Sequence, residues 1–396
     1  MKKIILITCY FGKFPWYFPF FLKSCGYNPT VDFIIYSDCK LAFEIPGNVK
    51  IISFSLDKFN RLASRKLGFD ISVKTPYKLC DFKPAYGAIF QDSISHYEFW
   101  GITDIDVVFG RIREFMSEEL LERYDVISVR NDYPTGCFML FKNTKKINLL
   151  FTKSKDYKKV FTSDIHYCFD ECNFKHGFLQ NGGDIFEIEC EIESMHHIIK
   201  REENNNNLKA HFDFLIIEGL PGQLKWEKGI LTFKNEYEIL LHHLIRYKSH
   251  HYTRKIYWEN VPDTFYIDKH LIRKSSMNSL KKWLLFYFFE KIRPFFKEKI
   301  FQTDYRISKT LSWNLKGIPK NNYILNGTVI GLSKDYKNNY TISYNATEPR
   351  KIFKAVLSKD SFFVESSTGV RYKLIEGIQG WFSLLSRAII IFMINI

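Results

Sequence analysis

Residues 97–110 read YEFWGITDIDVVFG, an apolar run in which Asp104 and Asp106 stand one residue apart. Charges are costly in such a run unless they have a partner or a purpose. On an extended chain, side chains at i and i+2 point to the same side. The pattern therefore predicts a buried strand that delivers two carboxylates together at its carboxyl end. There they can hold one hard divalent cation, Mg²⁺ or Mn²⁺, through oxygen ligands. The alternative is two acids that merely close a strand.

The stretches around this run alternate strand and helix signals. KKIILITCY (2–10), DFIIYSD (32–38) and NVKIISFS (48–55) are short β-branched runs that end in turn residues. The opening MKKIILITCYFGKFPWYF begins like a signal peptide. Its apolar stretch is short and lacks a small-residue cleavage site, so it reads as the first strand. TPYKLCDFKPAYGAIFQDSI (75–94) reads as helical, with Pro84 at a helix start or bend. SEELLERYD (117–125) reads as a helix capped by Ser117, and YDVISV and TGCFMLFKNT as two further strands. Strands separated by helices predict an α/β domain with a mostly parallel central sheet. Ligands of such sheets bind at the carboxyl ends of the strands, where Asp104 and Asp106 are expected.

KREENNNNLKAH (200–211) reads as a polar loop, GQLKWEKGILTFKN (222–235) as a hairpin, and EILLHHLIRYK (238–248) as a helix or strand on the first domain. Residues 278–301 are aromatic, basic and amphipathic, the composition of an interfacial helix on an anionic membrane or of a packing helix. From about 303 the signals change to short strands, NYILNGTVIGL, NNYTISYN, KAVLSKDSFFVES and VRYKLIEG, a small β-rich C-terminal appendage. The domains are thus expected at 1–275 and 303–396, with 276–302 as helix or linker. The apolar tail 381–396 is interrupted by Arg387 and is shorter than the roughly 20 residues a spanning helix needs.

The chain has 396 residues, with 38 Phe and 23 Tyr, an aromatic excess that suits sugar-stacking platforms or an interfacial surface. The net charge of +14 favours an anionic partner, though an AT-rich genome inflates the same residue types. No recognition helix, zinc finger or RNP-type motif is present, which argues against nucleic acid. Eight cysteines include no Cys-x-x-Cys pair and several sit in apolar runs. They read as buried, reduced thiols of a cytosolic protein, with no zinc site.

The blocks ITCYFGKFPWYFPFFLKSC, PYKLCDFKPAYGAIF, YEFWGITDIDVVFGRIREF and TGCFMLFKNT resemble, in order and spacing, a bacterial glycosyltransferase-like family of polysaccharide loci. The resemblance covers roughly the first 250 residues. It implies a GT-A-like (Rossmann-like) nucleotide-sugar-binding domain whose Asp-x-Asp, here Asp104 and Asp106, holds Mn²⁺ or Mg²⁺ on the donor diphosphate. The implied activity is metal-dependent transfer of a sugar, from a UDP-sugar first of all, to a glycan or lipid-linked acceptor in capsule or other cell-surface polysaccharide synthesis. The cysteine pattern and the basic aromatic segment 278–301 together give the expected location, cytoplasmic with the inner membrane face as a peripheral site. The family pattern has a small or polar residue ahead of the acids ("GHCDID"-like), where this chain has GITDID.

Further assignments come from the same resemblance. Thr8, Cys9 and Tyr10 are expected beneath the nucleotide base, with Tyr10 stacking on it or serving as a core aromatic. Lys78 and Lys83 are expected on the phosphates and Asp81 on base or ribose, the alternative being a solvated helix face with an ion pair. His243 is expected to complete the metal shell, with Arg246 or Lys248 facing the diphosphate and His242 as its competitor. Asp170 or Glu171 is expected as catalytic base or acceptor clamp, against a plain helical ion pair.

Two rival readings remain. A haloacid-dehalogenase-like phosphatase would use the first aspartate as nucleophile and the second as general acid. GGDIFEIE (182–189) imitates its later acidic motif, but three strands precede the acids, and Val107 and Val108 replace its usual Gly-Thr. A non-catalytic glycan- or membrane-binding protein of the same fold is the other.

Overall fold

The structure is a computed structural model that describes residues 3–275 except 214 and 250–252, together with the backbone of six strands between 322 and 374. The chain separates into two compact units, Met1–Ser276 and Met277–Ile396. The segment 278–301 and the tail 381–396 lie outside the described residues. Among the described residues, no helix is long and apolar enough to cross a membrane.

The strands of the first unit begin with β1 (Ile4–Tyr10), β2 (Val31–Ser37), β3 (Val49–Ser53), β4 (Phe99–Thr103) and β5 (Val107–Phe109). Next come β6 (Val126–Ser128), β7 (Phe138–Lys142), β8 (Ala210–Phe212), β9 (Ile216–Ile217) and β10 (Leu224–Glu227). The last are β11 (Ile230–Phe233), β12 (Tyr237–Glu238), β13 (Leu241–His243), β14 (Thr264–Ile267) and β15 (Ile272–Arg273).

The main sheet has the order β3-β2-β1-β4-β7-β6-β8. Its pairings are parallel except where β7 runs against β4 and β6. The unit is therefore mixed α/β around a mostly parallel sheet. Alternate residues feed two apolar layers: Ile4, Leu6, Phe99, Phe138 and Leu140 on one face, and Ile5, Ile7, Trp100, Ile102, Met139 and Phe141 on the other. Burial on both faces is why these strands read as continuous apolar runs rather than alternating ones. Gly101 is required in β4, because a Cβ there would lie 2.5 Å from the Met139 carbonyl oxygen and 2.6 Å from Leu6 and Leu140 side chains.

Two smaller sheets complete the unit, β12-β11-β10-β14-β15 and β5-β13-β9. The predicted hairpin is β10–β11, and its Lys228-Gly229 turn has positive φ at both residues, as two-residue hairpin turns favour. The cap also forms as expected, with Ser117 Oγ accepting from Leu120 N ahead of the helix Glu118–Arg123.

Three readings are corrected. Residues 97–110 are not one strand: β4 stops at Thr103, the chain turns through 104–106, and β5 joins a different sheet. The 75–94 stretch is a 3₁₀ helix, Pro76–Ala85, succeeded by two single turns, Tyr86–Ile89 and Gln91–Ile94. Tighter winding accommodates Pro84, whose missing N–H would break a longer α-helix. The asparagine-rich stretch is half helix, since Met195–Asn204 runs into it and only 205–209 connects to β8. A capping box at Ser194 and His197 starts that helix.

In the second unit the six strands Asn322–Leu325, Thr328–Lys334, Tyr340–Asn345, Phe353–Ser358, Ser361–Ser366 and Arg371–Leu374 pair antiparallel in chain order.

Candidate metal site

The acids sit where the main sheet hands the chain to the β5-β13-β9 sheet. Asp104 N donates to Cys137 O (3.3 Å) at the start of β7, and Leu244 N donates to Asp106 O (2.7 Å). His243 is paired in register with Val107, the residue after Asp106. Backbone pairing thus brings residues 104, 106 and 243 to one place. One ligand atom from each of Asp104, Asp106 and His243 lies within 4.8 Å of the others. The two acids reach this point from a turn, not from an extended strand, so their convergence comes from the chain reversal and not from the i, i+2 rule.

His243 Nδ1 faces Glu218 Oε1 at 2.7 Å, and its Nε2 lies 3.4 Å from Asp106 Oδ2. A carboxylate behind one ring nitrogen fixes the other as a ligand, which is the usual outer-shell arrangement of a metal-bound histidine. Lys248 Nζ is 2.6 Å from the same Asp106 oxygen. Burial alone would lower the His243 imidazole. Contact with Cys137, Asp106 and Glu218 outweighs it and holds the ring well above its usual 6.5. Burial alone would raise the Asp106 carboxyl, yet His243 and Lys248 hold it far below the ordinary carboxylate range. A divalent cation would replace these positive charges on Asp106. The donors present, two carboxylates and an imidazole, suit Mn²⁺.

Lys83 joins this cluster to the second pair of acids. Its buried Nζ donates to Asp104 Oδ1 (2.7 Å) and Gly136 O (2.8 Å) and lies 3.7 Å from Asp170 Oδ2. Burial opposes its charge, but Asp104, Cys80 and Asp170 hold its pKa well above 10.5. The two adjacent acids are driven apart. Burial pushes Asp170 well above 3.8 against the pull of Lys83. Glu171, only partly exposed, is lowered to about 2 by His176 and the Gly136 N–H against the desolvation that would raise it. Gly136 is pressed onto Asp170, and a Cβ there would come within 2.2 Å of Asp170 Oδ2.

Other expected residues lie elsewhere or serve the fold. Lys78 and Asp81 are buried and pair with each other, an ion pair turned inward rather than on a solvated helix face. Lys78 Nζ donates to Asp81 Oδ2 (2.8 Å) and to the Ile165 carbonyl, while Asp81 accepts from Tyr167 N (2.9 Å) and Phe169 N (2.8 Å). Their role is to hold the segment that carries Asp170. Thr8 is buried and donates its hydroxyl to Thr103 O at 2.7 Å, tying β1 to β4 beside the acids. Tyr10 is half-buried against Phe14, with its hydroxyl toward Lys13 O. Of the two basic residues after His243, Lys248 reaches Asp106; Arg246 is exposed on the helix Ile245–Ser249 and forms no ion pair among the described residues. His242 is a core residue, with Nδ1 toward Ile217 O and the ring lowered to about 4 by burial.

Three contributors escaped the sequence reading. Glu218 bridges His243 and Arg130, whose guanidinium also pairs with Asp132. Glu218 gave a signal, a lone acid inside the apolar LIIEGL stretch, whereas Arg130 and Gly136 gave none beyond lying in turns.

No curated protein matches the chain. Among solved structures, the crystal structure of mouse xyloside xylosyltransferase 1, apo form, is similar at 10% identity with a TM-score of 0.30, over 61% of this chain and 97% of that one. A family described as a family of unknown function, DUF6625, has a model that matches residues 6–276, well over half of the sequence, and the chain belongs to that family.

Proposed function

We propose that this protein is a metal-dependent glycosyltransferase that takes its sugar from a nucleotide-diphosphate donor. The observation that carries the reading is the convergence of Asp104, Asp106 and His243, with Glu218 behind the histidine and Lys248 beside the acids. The ordered sequence blocks shared with GT-A-like glycosyltransferases support it.

Asp104, Asp106 and His243 would hold Mn²⁺ or Mg²⁺. Bound there, the ion supplies fixed positive charge against the departing diphosphate. The chain's own residues do the rest. Glu218 keeps the His243 Nε2 turned toward the acids. Lys248, a third exposed, extends the positive field outward to the diphosphate, and Lys83 holds Asp104 in place from the buried side. Preorganised charge of this kind needs no rearrangement as the bond breaks.

Asp170 is the acid we assign to the acceptor hydroxyl. It lies on the Lys83 side of the cluster, with Oδ2 3.7 Å from the Lys83 Nζ that also holds Asp104. Glu171 is tied to the Gly136 N–H and His176 and serves to shape the turn. Donor base and sugar, acceptor glycan or lipid-linked oligosaccharide, and any membrane surface belong to the reading as expectations from the resemblance.

The test is calorimetric titration of the full chain with UDP, GDP and CDP, with and without Mn²⁺, beside Asp106→Ala. One diphosphate should bind only with metal, and the variant should lose it. If none binds under any condition, the reading fails and a non-catalytic binder of the same fold replaces it. Asp170→Asn should keep diphosphate binding and lose donor turnover by at least about 100-fold. Unchanged turnover would remove Asp170 from the reaction.

A further inference from the structure

The lack of a Cys-x-x-Cys pair argues against zinc in the sequence, but the fold assembles a mixed donor set from the single segment 166–176. Asp81 holds Tyr167 N and Phe169 N, one on each side of Cys168. Cys168, Asn173 and Phe174 all have left-handed backbone, with φ of 53°, 50° and 61°. The chain therefore curls tightly, and Asn173 N donates back to Cys168 O at 3.0 Å. Positions 168, 171 and 176 come together inside the curl.

Cys168 Sγ lies 3.4 Å from Glu171 Oε2 and 3.8 Å from His176 Nε2, and those two atoms are 2.7 Å apart. A tetrahedral zinc at about 2.3 Å from sulfur and about 2.0 Å from nitrogen and oxygen keeps its ligand atoms roughly 3.3–3.6 Å apart. Two of the three separations are close to that range, and a shift of about half an ångström at His176 brings the third there. The other Glu171 oxygen is already engaged, accepting from Gly136 N at 2.7 Å, so Oε2 is the one left for the cluster. Glu171 and His176 are partly exposed, which gives an ion a way in.

We propose that Cys168, Glu171 and His176 form a zinc site, separate from the Asp104–Asp106–His243 cluster. Thiolate and imidazole select zinc over Mg²⁺ or Mn²⁺, whereas the oxygen-rich cluster has the opposite preference. With three protein ligands, the fourth position goes to water or another small donor. The ion locks the curl on which Asp170 is carried, and Glu171 is thereby a ligand and not a base. This assignment does not rest on the glycosyltransferase reading.

The experiment strips the full-length protein with a chelator and titrates it with Co²⁺ alone. A thiolate-to-cobalt charge-transfer band should grow to one equivalent and disappear when Zn²⁺ is added. Cys168→Ser should abolish the band, and His176→Ala should weaken cobalt binding at least about tenfold. Cys172→Ser and Asp106→Ala should leave the band in place, with near-ultraviolet circular dichroism confirming that each variant is folded. Absence of the band in the parent, or a band that survives Cys168→Ser, overturns the proposal. So does a band that is lost with Cys172. Nucleotide binding in Mn²⁺, measured on the same variants, reads the other site independently.

Discussion

Asp81 shows how much one carboxylate can organise. Fully buried, it accepts from Lys78, from two backbone N–H groups and faces His166 at 3.1 Å. Burial would raise its carboxyl, yet His166 and Lys78 hold it below 3.8. A depressed folded-state value means that this stability is present above the ordinary carboxylate range and is lost as pH falls through the folded value. Asp81→Ala, which strands Lys78 in the interior, should cost about 3–5 kcal/mol in urea denaturation at pH 7. The loss relative to the parent should shrink below about pH 3.9, and a loss that does not change with pH would refute the linkage. Gly136→Ala should keep the fold but displace Asp170, with donor turnover falling while diphosphate binding stays. At this scale the sequence was readable only in part. Asp104, Asp106 and His243 stood out because charge and imidazole interrupt apolar runs. Lys78 and Asp81 sat in an equally suggestive block whose spacing allows an ion pair, but nothing in YKLCDFKP tells that the pair faces inward to a distant backbone segment.

Among the elements, β4 is tightly constrained. Gly101 lets β1 and β7 close on it from both sides. Gly101→Ala should therefore destabilise by about 1–3 kcal/mol, as overpacking does, and a midpoint unchanged in chemical denaturation would show that the sheet can yield. The strands and their order of burial were legible because two-sided burial leaves long β-branched and aromatic runs. The break between β4 and β5 was not. Every residue from Ile105 to Phe109 is as buried as the strand before it, so composition shows no boundary where the chain changes sheets. The 3₁₀ stretch 76–85 was hidden for a related reason. Its apolar spacing is neither 3.6 nor 2, and a tertiary pair, Lys78–Asp81, fixes it in place.

For the whole molecule, the division at Ser276 makes a concrete statement about folding. The first unit contains its own two-layer core and the complete Asp104–Asp106–His243 cluster. A fragment ending at Ser276 should unfold in one cooperative calorimetric transition and bind the same metal and diphosphate as the full chain. A fragment lacking near-ultraviolet ellipticity would show that the first unit depends on residues 277–396 to fold. Short strands with polar turns after about 303 contrast in the sequence with the buried runs before them. The contribution of the second unit has no counterpart in any motif that could be read.

His242 and His243 stand side by side on β13 and are sent to opposite destinations, one into the core beside Ile217 and the other to Asp106. The only thing that tells them apart is which rung of β5 each is laid against. The strand is thus a two-position selector for imidazole. A slip of one residue would exchange the ring that faces Asp106 and Glu218 for the one packed beside Ile217 without changing the composition of the strand. Single-residue insertions or deletions between β12 and β13 would then act as switches of ligand identity rather than as ordinary loop damage.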